Sequence, residues 1–438
     1  MAKWTDKSVV SFAADEDPIE KMERIARQAV FQAVDQGWSG PPFDPVQLAK
    51  KRGIDVRPNA ALADARVFWV NGRFVIEYNP HKPRSRVNFS IAHEIAHTFF
   101  TDCANEIRNR SRDKWERHSW QLELLCNVGA AEMMMPVGSF LLNSDSVVTI
   151  EELMQLRREY QVSAEAILIR LVKLASSRVA CFSATRIAKA RSLMEYRIDY
   201  RIGSSHWLDW ARRQAPRRLK SKVLDQCVAI GTTAKGVEQW DKNGPEVHVE
   251  GVALPPLPGT ENLRVAGFIR PTSEVPNVRG IGYRQGSAAR FVADSNVAIL
   301  HIVNDTANRW GRRGFAPAVR EEHPTAYDDY TWWATKRTME KKLGAVHVAR
   351  LPDNKFVVSL VAQRGYGKSV KPRIRYDALD KSLRQAGEVL SKAGVTMVQM
   401  PKIGTGQARG NWSVIEGLIR EHLVSTGLEV RVFEFAPR

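Results

Sequence analysis

Residues 91–97 read Ile91-Ala92-His93-Glu94-Ile95-Ala96-His97, an H-E-x-x-H spacing inside an apolar run that suits a helix. Residues four apart share a helical face, so His93 and His97 can offer two imidazoles to one cation. Glu94, one step around, can serve as general base toward a metal-bound water. Ile91, Ile95 and Phe99 fall on the opposite side, so the helix is expected to carry a core face and a site face. Two histidines do not complete a hydrolytic zinc site, which needs three protein ligands and an open fourth position.

The next helix-compatible run, from Trp120 to Glu132, supplies two carboxylates. Glu123 shares a face with Asn127, so one can ligate while the other orients a ligand. Glu132 lies nearer the helix end marked by Pro136, and spacing does not choose between the two. Upstream, Pro18 to Val34 has helical apolar spacing, Gly40-Pro41-Pro42 breaks it, and a short helix is expected from Pro45 to Lys51. Two β-rich runs between Val67 and Tyr78 meet at Asn71-Gly72, a strong hairpin signal. Such a hairpin is either scaffold or an edge that pairs with an extended peptide. Ile150 to Leu174 reads as two short helices around Tyr160–Ser163, with Ser163 as N-cap of the second. That outline suits a DNA-reading pair, but no basic or amide-rich second helix follows, so DNA binding is not favoured.

A chain of 438 residues is expected to form two or three domains. No run has the length of a membrane-spanning helix, and the first residues carry no apolar signal core, so a cytoplasmic protein without membrane association is expected. Cys103, Cys126, Cys181 and Cys227 lack C-x-x-C spacing, which excludes a cysteine-ligated zinc site or disulfide framework from the expectations. Lys and Arg total 65 against 48 Asp and Glu, a net charge of +17 that favours polyanionic partners. Basic pairs occur at Arg212-Arg213, Arg217-Arg218 and Arg312-Arg313, with no long basic tract.

The stretch Arg86-Val87-Asn88-Phe89-Ser90-Ile91-Ala92-His93-Glu94-Ile95-Ala96-His97, followed by Glu123-x-x-x-Asn127 and Met133-Met134-Met135-Pro136, resembles the ImmA/IrrE family of zinc metallopeptidases. That family pairs an R-x-x-F-x-x-A-H-E-x-x-H helix with an E-x-x-A-N helix ending in L-M-P. The resemblance covers residues 1–190 and implies a mainly helical, zincin-like domain with a small β-hairpin or sheet. It implies one Zn²⁺ on His93, His97 and Glu123, with Glu94 as catalytic base. It also implies a bacterial substrate, a helix-turn-helix transcriptional repressor encoded nearby, whose cleavage relieves repression of stress, mobile-element or phage-defence genes. Cys126 stands where the family often has Ala, and Gly129 and Ala130 replace bulkier residues.

Residues 191–275 mix helix-like runs (Trp207-Leu208-Asp209-Trp210) with strand-like ones (Val247–Leu254 and Leu263–Pro271), separated by a loop at Pro255–Gly259. The layout resembles the small α+β, GAF-like domain that follows the peptidase in longer ImmA/IrrE proteins; a spacer or dimerisation module suits it equally. His206 and His248 are read as ordinary, partly buried histidines.

Residues 276–438 alternate strands (297–303, 356–361, 396–400, 429–435) with helices (376–393, 412–425), an α/β sandwich pattern. Two glycine-bearing loops follow strands. One runs from Asn304-Asp305 to Trp310-Gly311-Arg312-Arg313-Gly314-Phe315. The other is Pro401-Lys402-Ile403-Gly404-Thr405-Gly406-Gln407-Ala408-Arg409-Gly410-Asn411-Trp412. Glycines there let backbone N–H groups approach phosphate oxygens. The pair resembles the macrodomain family of ADP-ribose-binding modules. The resemblance implies a diphosphate between Gly311, Gly314 and Phe315 on one side and Gly404, Thr405, Gly406, Gln407 and Gly410 on the other. Asn304 or Asp305 would lie near the distal ribose. The G-D-x-T of that family is replaced by Gly286-Ser287-Ala288-Ala289. The lysine and aspartate used by some de-ADP-ribosylating relatives are replaced around Ala318–Arg320 and at Ala408. A binding module or slow hydrolase is therefore expected, with ADP-ribose or an NAD-derived nucleotide as ligand. The alternatives are a non-proteolytic regulator or antitoxin that binds DNA or ADP-ribosylated targets, and an ADP-ribosyl hydrolase using Asp305.

Overall fold

A computed structural model of the chain describes residues 4–103, 108–109, 120–139, 149–175, 178–187, 195–204, 218–240, 246–256, 261–272, 281–367, 369 and 372–434. The helix-like run at 207–210, His206, the Arg212-Arg213 pair, Arg217, Leu257, Pro258 and Gly259 lie outside the described residues, as do the expected junctions at 190/191 and 275/276. The chain divides into two compact units. One comprises Met1–Ala26, Ser39–Met135 and Asp145–Val278; the other comprises Arg27–Trp38, Pro136–Ser144 and Arg279–Arg438.

The first unit opens with α1 (Lys7–Ala13), α2 (Pro18–Asp35, divided between the units after Ala26) and α3 (Pro45–Lys51). Strands β1 (Asp55–Pro58), β2 (Ala65–Val70) and β3 (Arg73–Tyr78) precede α4 (Arg84–His97), and β4 (Arg108–Asn109) precedes α5 (Trp120–Met134). The sheet order is β1-β3-β2-β4. Asn71 and Gly72 close the β2–β3 hairpin with φ of 49° and 79°, the left-handed values that an Asn-Gly turn accommodates. β2 is flanked on its outer side by β4 at Arg66 and Val67. Helices α6 (Ile150–Tyr160) and α7 (Ala164–Leu174) follow, and the Ser163 hydroxyl accepts the Ala166 N–H at 3.1 Å, as its N-cap position predicts.

A second, antiparallel sheet has the order β7-β6-β5-β10-β9-β8. Its strands are β5 (Ala180–Ile187), β6 (Glu195–Gly203), β7 (Arg218–Leu219), β8 (Thr233–Glu238), β9 (Val247–Leu254) and β10 (Arg264–Pro271). Its central strand β5 begins before residue 190, and α7 packs on β5, β6 and β10. Glu165 on α7 pairs with Arg264 and accepts the Tyr200 hydroxyl at 3.0 Å, while Glu250 on β9 accepts the Ile150 N–H at 2.8 Å. The helix pair thus serves as a packing layer for this sheet.

The second unit carries a six-stranded sheet in the order β11-β16-β15-β12-β14-β13, parallel except for the edge strand β13. In chain order the elements are β11 (Ile281–Gln285), β12 (Val297–Asn304), α8 (Ala316–Glu322), α9 (Pro324–Lys336), β13 (Val346–Leu351), β14 (Lys355–Gln363), α10 (Tyr376–Lys392), β15 (Met397–Pro401), α11 (Trp412–Ile419) and β16 (Glu429–Glu434). Val297 to Leu300 are fully buried, as expected for a central parallel strand covered on both faces. The chain leaves β12 toward β14 and later returns on the other side as β15, so the carboxyl ends of β12 and β15 form a topological switch point. The expected helix 412–425 is α-helical only to Ile419 and widens into a π turn at Arg420–Val424. The widened turn sets the His422 backbone against Gly387 of α10, where a Cβ would lie 2.2 Å from the His422 carbonyl oxygen, and brings His422 Nε2 within 2.8 Å of Asp380.

Candidate functional site

Helix α4 lacks a side-chain N-cap, and its first turns are fastened instead by Asp64. That buried carboxylate pairs with Arg86 and accepts the Ser90 hydroxyl at 2.6 Å. The helix packs on α3, α5, β2 and β3, and every residue from Ser90 to His97 is buried. The face expected to carry the site is buried along with the core face. His93, Glu94 and His97 are as buried as Ile91 and Ile95, because α5 covers their side, whereas Phe99 is only half-buried under the Arg52 guanidinium. Close approach of α5 is permitted by Gly129, where a Cβ would lie 2.9 Å from Met22 Sδ and 3.0 Å from Ala96 Cβ.

This approach brings Glu123 to both imidazoles. His93 Nε2 lies 3.1 Å from one carboxylate oxygen and His97 Nε2 lies 3.6 Å from the other. The fully buried His93 Nε2 has no hydrogen-bond partner among the described residues despite that distance. Donors each about 2.0–2.1 Å from a tetrahedral Zn²⁺ would be about 3.3 Å apart, so 3.1 and 3.6 Å bracket the edge of such a ligand set. Two imidazoles and a carboxylate also suit that ion chemically. Glu123 keeps 30% of its side chain exposed, which leaves a solvent-facing side for a fourth position. Asn127 Oδ1 lies 3.0 Å from His93 Nδ1, and Cys126 Sγ lies 3.3 Å from His97 Nδ1. Each ring thus meets a supporting atom with Nδ1 and turns Nε2 toward the carboxylate.

Two other donors compete with Glu123. His93, His97 and Cys126 have donor atoms within 4.8 Å of one another, close enough to share an ion. Cys126, however, meets the Nδ1 edge of His97, opposite the nitrogen that faces Glu123. Glu132 is buried in an ion pair with Arg170 at 2.7 Å, and Arg170 also donates to the Met135 carbonyl at 3.1 Å. Asp64 and the supporting role of Cys126 were not legible in the sequence, since neither lies in the H-E-x-x-H pattern.

In the second unit a cleft of about 1810 Å³ opens at the switch point, larger than the roughly 300–1,000 Å³ of a typical small-molecule site. Of the residues expected to hold a nucleotide, Asn304, Gly311, Gly314, Phe315, Gly404, Thr405, Gly406 and Gln407 line it, while Asp305 and Gly410 do not. Asp305 Oδ1 instead accepts the Gly365 N–H at 2.7 Å, clamping one loop to another. Gly410 donates its N–H to the Gly404 carbonyl at 2.8 Å, closing the second loop on itself. Asn304 Oδ1 accepts from the Thr306 and Ala307 amides at 3.1 and 2.6 Å, which fixes the turn after β12. The buried Lys341 donates to the Ala307 carbonyl at 2.6 Å, and burial lowers its pKa. His301, on the cleft floor, bonds Ser359 at 2.8 Å through Nε2, and complete burial pushes its pKa down to about 3, so it is neutral. The rim carries Arg309, Arg312, Arg313, Lys402 and Arg409. The Arg312-Arg313 pair noted in the sequence thus belongs to this cleft.

Residues 49–172 match the family model of the IrrE N-terminal-like domain. Human ADP-ribose glycohydrolase OARD1 is 32% identical over 94 residues, which are 22% of this chain and 59% of that protein. The chromodomain-helicase-DNA-binding protein 1-like of Danio rerio is 27% identical over 215 residues, 46% of this chain and 20% of that protein. The chain therefore spans about a fifth of the helicase and less than two thirds of the glycohydrolase. A macrodomain protein of Streptomyces coelicolor is 27% identical, with 36% of this chain and 99% of that chain covered and a TM-score of 0.31. These matches agree with the resemblance read from the sequence: residues 49–172 fit the IrrE N-terminal-like domain model, and parts of the chain are similar to an ADP-ribose glycohydrolase and to a macrodomain protein. No helix among the described residues is long and apolar enough to cross a membrane.

Proposed function

We propose that the chain is a zinc-dependent metallopeptidase that cleaves a protein partner, and that its macrodomain binds ADP-ribose or another NAD-derived nucleotide that regulates the cleavage. The observation that carries the first half is the convergence of two buried Nε2 atoms on the two oxygens of Glu123. Bound there, Zn²⁺ would lower the pKa of a coordinated water and polarise a scissile carbonyl. His93, His97 and Glu123 hold the ion, and Asn127 fixes the ring of His93. Glu94 accepts the proton of the attacking water and returns it to the leaving amine, while the partly exposed side at Glu123 admits the peptide. By family resemblance the partner is a bacterial helix-turn-helix repressor or a defence-system protein in the same cytoplasm.

For the second half, the glycine loops and the arginine-bearing rim suit a diphosphate. Asp305 spends a carboxylate oxygen on the Gly365 amide, which disfavours it as the base of an ADP-ribosyl hydrolase. Nucleotide control of cleavage requires a ligand with different affinity for two states of the protein. The test uses the full chain with the repressor encoded beside it. Glu94→Gln is expected to retain one zinc per chain and to lose cleavage by at least about a hundredfold. Calorimetry with ADP-ribose is expected to give one-to-one binding. Cleavage by a zinc-loaded Glu94→Gln protein would refute the mechanism, and absence of zinc from the wild type would refute the assignment.

A further inference from the structure

Helix α5 places Glu123, Cys126 and Asn127 at positions i, i+3 and i+4, a single face turned toward α4. Glu123 meets the Nε2 atoms of both histidines, Asn127 meets Nδ1 of His93, and Cys126 meets Nδ1 of His97 at 3.3 Å. We infer that Cys126 is the positioning residue of His97, its sulfur accepting the Nδ1–H so that the Nε2 lone pair is presented beside Glu123. The inference rests on the zinc reading above and adds the partner that orients the second imidazole.

A neutral imidazole carries its proton on one nitrogen and a lone pair on the other. If the thiol donated to Nδ1, the proton would sit on Nε2 and that nitrogen could not bind a cation. Sulfur acting as acceptor gives the opposite tautomer, as a carboxamide oxygen does for His93. Cys126 is fully buried, as is His97 apart from a few per cent of its surface, so water does not readily replace the sulfur at that edge. Asn127 cannot serve both rings, because its oxygen is engaged with His93 at 3.0 Å. An alanine at 126 would replace the sulfur with a methyl group, which accepts no hydrogen bond and selects no tautomer.

The experiment measures zinc affinity of the full chain by chelator competition, together with ¹⁵N resonances of the histidine rings and the visible and near-ultraviolet absorption of the Co²⁺-substituted protein. Cys126→Ala is expected to weaken zinc binding about tenfold to a hundredfold and to shift the His97 ring resonances but not those of His93. Cys126→Ser, which restores an acceptor on a shorter arm, is expected to fall between and to serve as the probe should the alanine variant fold poorly. The Co²⁺ form is expected to lack an intense thiolate charge-transfer band. Unchanged zinc affinity and unchanged His97 resonances in Cys126→Ala would overturn the inference while leaving the zinc site standing. An intense charge-transfer band in the wild type that vanishes in Cys126→Ala would overturn it by making Cys126 a ligand. A wild type that binds no zinc would instead fail the proposed function on which the inference rests.

Discussion

Replacing each of the two α5 carboxylates with alanine is expected to separate metal binding from stability. Glu132 has 1% and Arg170 has 7% of its side chain exposed, and their contact is 2.7 Å. Glu132→Ala leaves the guanidinium buried beside a neutral carbonyl, that of Met135. Breaking a buried pair by removing one member costs about 3–5 kcal/mol, because the surviving charge is neither solvated nor compensated. For a unit of this size each kcal/mol lowers the melting temperature by about 2–4 °C, so a fall on the order of 10 °C is expected. Glu123 keeps 30% of its side chain exposed, so Glu123→Ala should change the metal-free stability by no more than about 0.5 kcal/mol. The assay is thermal unfolding in chelator, paired with zinc content after reloading. The expected result is a destabilised Glu132→Ala protein that retains zinc when folded, and a normally stable Glu123→Ala protein that has lost it. If Glu132→Ala instead melts normally without zinc-binding capacity and Glu123→Ala still binds the ion, the ligand set argued from the Nε2 distances is wrong.

Asp380 is buried, which pushes its pKa up, but its hydrogen bond from His422 and the Arg27 guanidinium at 3.0 Å reverse that and hold it near about 2, against an ordinary 3.8. Its stabilisation is complete above pH 4 and lost as pH falls toward 2, about 2 kcal/mol in all, so denaturant titrations of wild type and Asp380→Asn should converge across that window. His301 runs at higher pH: neutral when folded to about pH 3 but protonated when unfolded below 6.5, it should make stability fall as pH drops from 6.5, and His301→Gln should remove that share of the slope. Gly404 has a φ of +76°, and a Cβ would sit 2.9 Å from Ile415 Cδ1 and 3.1 Å from Ile302 Cδ1; Gly404→Ala should cost about 1–3 kcal/mol and abolish measurable ADP-ribose binding in calorimetry. Because the cleft rim carries four arginines and a lysine, nucleotide affinity should fall steeply with added salt, and Arg313→Ala should reduce the slope.

The two candidate sites differ in how they are written in the sequence, and this decides which parts were legible. His93, His97, Glu123 and Asn127 sit at helical spacings, and a helix converts sequence distance into a shared face without help from the rest of the fold. What spacing could not give was which carboxylate of α5 turns toward the imidazoles. That depends on the close approach at Gly129 and on Arg170, a residue from another helix, which draws Glu132 into its own pair. Nor could amphipathic reasoning see that α5 would bury the histidine face as deeply as the isoleucine face.

The cleft is written instead in backbone conformation and in where strands stop. Glycines after two strands pointed to loops that line one cleft because β12 and β15 are neighbours at a switch point, a relation that follows from parallel topology. Side-chain roles in these loops are not written in spacing. In a loop, orientation is set by local hydrogen bonds, and these turned Asp305 toward Gly365 and left Gly410 holding Gly404. A carboxylate so engaged holds the β12 loop against the loop after β14, so Asp305→Ala should loosen nucleotide binding and thereby affect any slow hydrolysis indirectly. If Asp305→Ala bound ADP-ribose with unchanged affinity yet lost a measurable release of ADP-ribose from a modified target, the carboxylate would be acting on the reaction itself, and the clamp role argued from its 2.7 Å contact would be wrong.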